Sequence, residues 1–93
     1  MTKNQLSVDL KVACEIYKSG IKDEPIWYGR LVERLDGKVS KNLISGALDT
    51  LSDWGIMRTI IGETENGRAG MLFEICDIHK ERISALYEQF WKG

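Results

Sequence analysis

The chain has 93 residues, of which 43% are hydrophobic and 29% are charged, and its 13 basic and 14 acidic residues give a net charge of −1. This length and composition predict one globular domain over residues 1–93 and exclude a disordered tail. The apolar runs are much shorter than the ~18 residues that a membrane-spanning helix needs, so we expect no membrane association.

The N-terminal residues and the cysteines indicate the compartment. Residues 1–5 lack the apolar core of a signal peptide, and Cys14 and Cys76 lie in apolar segments. We therefore predict a cytoplasmic protein whose two cysteines are buried and reduced. Two cysteines and one histidine are too few ligands for a four-coordinate zinc site, and we expect no metal and no other cofactor.

The first helix is predicted over residues 8–18, with Ser7 as its candidate N-cap and Ser19-Gly20 as its stop. At 100° per residue its apolar side chains cover more than half of the helix circumference, which is more than one packing surface needs. Two interpretations remain open. The helix either lies in the middle of a small domain, or it turns part of its surface toward a second subunit.

A second helix is predicted over residues 25–35, with Pro25 in its first turn, where the missing N–H costs nothing. After a tight turn at Asp36-Gly37-Lys38, Ser40 is the predicted cap of a third helix over residues 40–54. The apolar residues of this third helix recur with a 3.6-residue period and predict one buried arc. The arc contains Leu43, Ile44, Ala47, Leu48, Leu51 and Trp54.

The C-terminal part begins with a predicted β-hairpin over residues 56–76. Its first strand is rich in β-branched residues, and Asn66-Gly67 is a strong signal for the hairpin turn. Asp77 is the predicted cap of a last helix over residues 78–91, which carries a broad, aromatic-rich apolar stripe.

The predicted element order, α-α-α-β-β-α, is a mainly α fold with a small β-hairpin wing, the winged helix-turn-helix. Segment 31–56, in which Val39-Ser40 opens a helix and Gly55-Ile56 leads into a hairpin, resembles small prokaryotic winged-helix transcription regulators of the MarR, PadR and ArsR kind. The string Pro25-Ile26-Trp27-Tyr28-Gly29-Arg30, with Gly67-Arg68-Ala69-Gly70, is also similar to winged-helix proteins of archaea. The resemblance covers roughly residues 8–91 and implies sequence-specific binding of double-stranded DNA by a small transcription regulator.

The start of the third helix holds the candidate base contacts. A recognition helix places its N-terminal residues against base edges in the major groove, which selects Ser40, Lys41, Asn42 and Ser45. Asn42 suits an adenine edge, and Lys41 suits a guanine or a phosphate. The alternative is that Ser40 only caps the helix and that the other three form a solvated face.

The candidate backbone contacts lie around this helix. Arg68, beside the turn residue Asn66, is predicted to enter a minor groove or hold a phosphate, and the alternative is an ion pair with Glu63 or Glu65. Arg30 and Lys38 are predicted phosphate contacts, with ordinary solvated charges as the alternative. Each of these roles is a hypothesis about local charge, because the chain as a whole is not basic.

Apolar surface on the first and last helices predicts a homodimer, in which two recognition helices would lie about one DNA turn apart. The alternative is that the last aromatic residues cover only the core of their own chain. The predicted dimer interface comprises Leu10, Tyr17, Ile83, Leu86, Tyr87, Phe90 and Trp91.

No catalytic constellation is visible, so we expect no enzyme, and no additional domain is left to hold a small-molecule effector. A second hypothesis is a winged-helix protein-interaction module without DNA binding, in which the acidic face of the third helix or the wing docks a basic partner. The near-neutral charge favours this second hypothesis, whereas the Val-Ser start of the third helix and the Asn-Gly-Arg turn favour DNA binding.

Overall fold

Four helices and a two-stranded antiparallel hairpin make up the computed structural model, which describes residues 6–63 and 66–92. The elements are α1 (Val8–Ile21), α2 (Tyr28–Arg34), α3 (Lys41–Asp53), β1 (Met57–Glu63), β2 (Ala69–Ile75) and α4 (Asp77–Leu86). Helix α4 continues into a π-helical turn, Tyr87–Trp91. The predicted mainly α class and the α-α-α-β-β-α order are confirmed. No helix within the described residues is long and apolar enough to cross a membrane.

Helix α1 is longer than predicted. The Ser7 side chain accepts a hydrogen bond from the Leu10 N–H at 3.2 Å, as expected of an N-cap. The predicted stop at Ser19-Gly20 is wrong, because the helix passes through both residues and ends at Ile21. Ser19 is buried, so tertiary packing of this turn outweighs the weak helix propensity of serine and glycine.

Helix α2 begins at Tyr28 and not at residue 25. Pro25 precedes the helix, and the next residue, Ile26, is buried and accepts a hydrogen bond through its carbonyl oxygen from the Phe73 N–H at 3.0 Å. Trp27 then takes the N-cap position with an extended backbone. The bond to β2 holds this segment extended, which is why the helix starts three residues later than predicted.

Helix α3 lies within one residue of its predicted bounds, with Ser40 at the N-cap and Trp54 at the C-cap. Ile44, Ala47, Leu48 and Leu51 are buried as predicted. Leu43 and Trp54, however, are 49% and 74% exposed, so the buried arc is narrower than the apolar arc. Gly55 follows with a φ of 72°, a left-handed conformation in which glycine commonly ends a helix.

The hairpin pairs Met57 with Ile75 at its base and Glu63 with Ala69 toward its tip. The base belongs to the core, because Met57 and Ile75 are buried, and it joins α1 and α3 in the same packed unit. The distal pair, Ile61 and Met71, is 84% and 64% exposed. Only the lower half of the hairpin is therefore covered.

Helix α1 runs through the middle of the core, which accounts for most of its wide apolar surface, and its contact with a second subunit stays a prediction. Val12, Ala13, Cys14 and Ile16 are all buried within this single chain. Burial, with a smaller contribution from the neighbouring Glu15, raises the pKa of the Cys14 thiol to about 12. Both cysteines are free as predicted, but Cys76 is half-buried and not fully enclosed.

Helix α4 and its π-helical turn also pack onto this core. Ile83, Tyr87 and Trp91 are buried there, which corrects the prediction that they contact a second subunit, because their own chain already covers them. The rest of the predicted dimer interface is half-buried against the same core and consists of Leu10, Tyr17, Leu86 and Phe90. The aromatic stripe thus closes the domain, and little of it remains for a second copy.

Candidate nucleic-acid interface

The N-terminal end of α3 is open to solvent. Ser40, Lys41, Asn42 and Ser45 are exposed, and none of their side chains forms a hydrogen bond or an ion pair within the described part of the chain. Ser40 occupies the N-cap position, yet its hydroxyl accepts no hydrogen bond from the helix. The first-turn backbone N–H groups of a helix have no partner inside it, so this end carries donors and partial positive charge.

The exposed face of α3 changes sign along its length. A step of about 100° per residue places Lys41, Asn42, Ser45 and Asp49 within an arc of about 100°. Its single lysine lies in the first turn, whereas Asp49 and Asp53 lie in the second half. An anionic partner would therefore meet the first turn favourably and would be repelled by the C-terminal half.

Two predicted phosphate contacts are held in place by aromatic rings. The Lys38 Nζ lies 5.2 Å from the centre of the Trp91 ring, and the Arg30 Cζ lies 4.7 Å from that of Trp27. A cation–π contact at an exposed site contributes ~0.5–1 kcal/mol, which orients the side chain without neutralising its charge. Lys38 is exposed, and Arg30 is half-buried.

The hairpin tip carries the two wing candidates. Asn66 and Arg68 are exposed, and Gly67 between them has a φ of 75°, a conformation that glycine adopts without strain. The alternative ion pair between Arg68 and Glu65 falls outside the described residues. The structure thus presents Asn66 and Arg68 at one turn, as the sequence predicts.

Other cations are engaged within the chain. The Arg34 guanidinium donates to a Glu24 carboxylate oxygen at 2.8 Å, and this hydrogen bond lowers the pKa of the Glu24 carboxyl. Arg58 pairs in the same way with Glu74 across the hairpin. Arg34 and Arg58 are therefore poorer candidates for an external anion than Lys41.

Sequence reasoning missed one exposed apolar feature. Leu43 in α3 and its C-cap residue Trp54 lie about 20° apart around the helix axis, because eleven residues at about 100° per residue complete slightly more than three turns. Both side chains are exposed, about 16 Å apart along the axis at ~1.5 Å per residue, and we call the line that joins them the apolar edge of α3. No signal in the sequence marks this edge, since both residues fit the periodicity of the buried arc.

No known protein family matches this chain, and no curated protein is significantly similar to it. Within the described residues, no group of three or more histidine, cysteine, aspartate or glutamate side chains is arranged to hold a metal ion.

Proposed function

We propose that the chain is a winged helix-turn-helix transcription regulator that binds double-stranded DNA sequence-specifically. Helix α3 would enter the major groove, and the hairpin tip would contact the minor groove or the backbone. The observation that carries this proposal is the open first turn of α3, where four exposed polar side chains have no partner among the described residues.

The side chains divide between reading bases and holding phosphates. Asn42 suits bidentate pairing with adenine, and Lys41 suits guanine or a phosphate. Ser40 and Ser45 are close to Lys41 and Asn42 in sequence and would contact the same stretch of DNA. Lys38, Arg30 and Arg68 are the backbone contacts of this proposal, with Asn66 next to Arg68, and such contacts fix the register of the protein on the duplex.

The number of proposed phosphate contacts predicts how strongly binding depends on salt. Four cations per copy would contact phosphate: Arg30, Lys38, Lys41 and Arg68. The logarithm of the affinity should then fall with the logarithm of salt concentration with a slope of about −3.6 per copy. We infer a homodimer in the cytoplasm, because two copies would double these phosphate contacts for a chain whose net charge is −1.

Binding to fragments of the source genome, measured by gel shift and by fluorescence anisotropy, tests the proposal. Lys41→Glu and Arg68→Glu each reverse one proposed contact. Lys22→Glu makes the same charge change at an exposed residue that follows α1. We expect a loss of about tenfold or more for the first two variants and a much smaller loss for Lys22→Glu.

Two results would contradict the proposal. The first is absence of binding by the wild-type chain at micromolar concentration. The second is an equal loss in all three variants, because it would indicate attraction by overall charge and not by a shaped interface.

A second candidate function is docking to a basic protein, and the apolar edge of α3 favours it. Trp54 is 74% exposed and follows Asp53 directly, and exposed aromatic side chains often anchor interfaces. Trp54→Ala should then abolish capture of one basic partner while DNA fragments remain unbound by the wild-type chain. If DNA binds and Trp54→Ala leaves it unchanged, the first function stands.

A further inference from the structure

A groove with a volume of about 680 Å³ opens among four parts of the chain. Its walls are the C-terminal half of α1, the segment before α2, the hairpin and the side of α4. This volume falls within the ~300–1,000 Å³ typical of small-molecule sites. Nothing in the sequence predicts the groove, because its walls come together only through the tertiary fold.

The walls of the groove are mainly apolar. Ile21 and Ile60 are 54% and 38% exposed in its lining, and Phe73 adds a half-buried aromatic ring. The Tyr17 hydroxyl donates to the Ser84 Oγ at 3.0 Å, which adds one polar pair to the lining. An occupant with an apolar body would therefore remove both its own surface and this lining from water.

The rim of the groove is acidic. Five carboxylates line it, against a single lysine: Asp23, Glu24, Glu63, Glu74, Glu81 and Lys80. The lysine ammonium is paired with the Asp77 carboxylate at 2.8 Å, outside the lining.

Ion pairs with Arg34 and Arg58 offset two of the five carboxylates, Glu24 and Glu74. Asp23, Glu63 and Glu81 form no ion pair with any other described residue. The uncompensated charge of the groove is therefore negative, and it surrounds an apolar interior.

We propose that this groove is a binding site for an amphipathic organic cation, a protonated amine with an aromatic or branched aliphatic body. The body packs against Phe73 and the isoleucines, and the ammonium group lies among Asp23, Glu63 and Glu81. Organic anions of the same shape are repelled by these carboxylates. The site does not depend on DNA binding.

A matched series of three probes tests the charge requirement: 4-phenylbutylamine, 4-phenylbutanol and 4-phenylbutyrate. They share one aromatic body and differ in the charge of the head group. Titration of ¹⁵N-labelled protein should give saturable shifts at groove residues such as Gly20 and Ser84. The affinity should fall from amine to alcohol to carboxylate, and equal binding of amine and carboxylate would overturn the proposal.

Two isosteric variants locate the ammonium group. Glu81→Gln and Asp23→Asn each remove one charge, and asparagine tolerates the φ of 55° at residue 23. Each variant should weaken the amine about two- to fivefold and leave the alcohol unchanged. Asp53→Asn, which removes an exposed carboxylate of α3 outside the groove lining, is the control and should change neither. An equal effect of all three variants would contradict the assignment.

A third variant tests the location of the body. Gly20 lines the groove, and a Cβ added there meets no atom within 4 Å. The added Cβ is therefore accommodated, and we expect Gly20→Phe to fold and to add a bulky ring at the groove wall. It should abolish binding of both the amine and the alcohol, and unchanged amine affinity in the folded variant would place the ligand elsewhere.

Discussion

Trp91 and Glu15 are joined by a hydrogen bond in the core, in which the indole Nε1 donates to the carboxylate Oε1 at 3.2 Å across 76 residues of sequence. Glu15 is 1% exposed, and its second oxygen, Oε2, has no hydrogen-bond partner among residues 6–63 and 66–92. A buried carboxylate is costly unless its oxygens are paired. The bond therefore links the π-helical turn to the central helix α1, and it satisfies one of the two buried oxygens of the Glu15 carboxylate.

Removal of this donor should destabilise the domain. Trp91→Phe keeps an aromatic ring but leaves the Glu15 carboxylate without its hydrogen bond, so we expect unfolding in urea to show a loss of ~1–3 kcal/mol. Trp54→Phe is the matched control at an exposed indole and should change little. Adding Glu15→Met to Trp91→Phe should recover much of the loss, because both polar partners are then gone. A double variant no more stable than Trp91→Phe would contradict this account.

Two glycines should respond to alanine in opposite directions. Gly20 lies within α1, and a Cβ added there meets no atom within 4 Å. Gly20→Ala should therefore stabilise the chain by ~0.5–1 kcal/mol, because alanine has the higher helix propensity. Gly55 has a φ of 72°, so Gly55→Ala should destabilise it by ~1 kcal/mol or more. In a domain of this size such changes shift the thermal midpoint by ~4–8 °C per kcal/mol. A fall in the midpoint for Gly20→Ala would place the end of α1 before residue 20.

The stability of the chain should decrease in acid. Hydrogen bonds from Arg34 and Lys80 lower the pKa of Glu24 and of Asp77, respectively, in the folded state. A carboxyl whose pKa is lower in the folded state stabilises the fold above its unfolded pKa of ~4, and this contribution disappears as the pH falls through the folded pKa.

Urea midpoints measured from pH 6 to pH 2.5 should show this loss. Arg34→Gln removes the cause of the shift at Glu24, so its acid-induced decrease should be smaller than that of the wild-type chain. Parallel curves for the two proteins would exclude a contribution from this ion pair.

The two thiols should differ in reactivity. Burial raises the pKa of Cys14 to about 12, so at pH 8 it is almost entirely the unreactive thiol and is also enclosed. Cys76 is half-buried and should react first with a thiol reagent such as 5,5′-dithiobis(2-nitrobenzoate). Peptide mapping after partial labelling should find the label on Cys76, and both cysteines should react after unfolding. Rapid labelling of Cys14 in the native chain would contradict its enclosure.

The sequence is sufficient to predict the bounds of an element where several local signals agree. Helix α3 was predicted to within one residue because Ser40, the 3.6-residue period and Gly55 all mark the same element. The predicted start of α2 was wrong because the true start depends on a hydrogen bond between Ile26 and Phe73. No local sequence pattern predicts a contact between residues so far apart in the chain. The candidate DNA contacts could be predicted as exposed because polar residues opposite an apolar arc face solvent.

What covers an apolar stripe cannot be deduced from the stripe itself. The stripe containing Ile83 and Trp91 fits a dimer interface or an internal core equally well, and only the fold shows that these two side chains are buried within their own chain. The exposure of Leu43 and Trp54 and the presence of the groove beside the hairpin could not be predicted from sequence for the same reason. Each depends on where neighbouring elements end, and periodicity does not contain that information.

The hydrogen bond from the Phe73 N–H to the Ile26 carbonyl has a consequence for self-association. It gives the outer side of β2 a main-chain neighbour, so that side of the sheet is closed to a foreign strand near its middle. The opposite side, along β1, pairs with no other described strand, and it carries the exposed, charged Arg58. We therefore expect intermolecular strand addition to be easier along β1 than along the middle of β2.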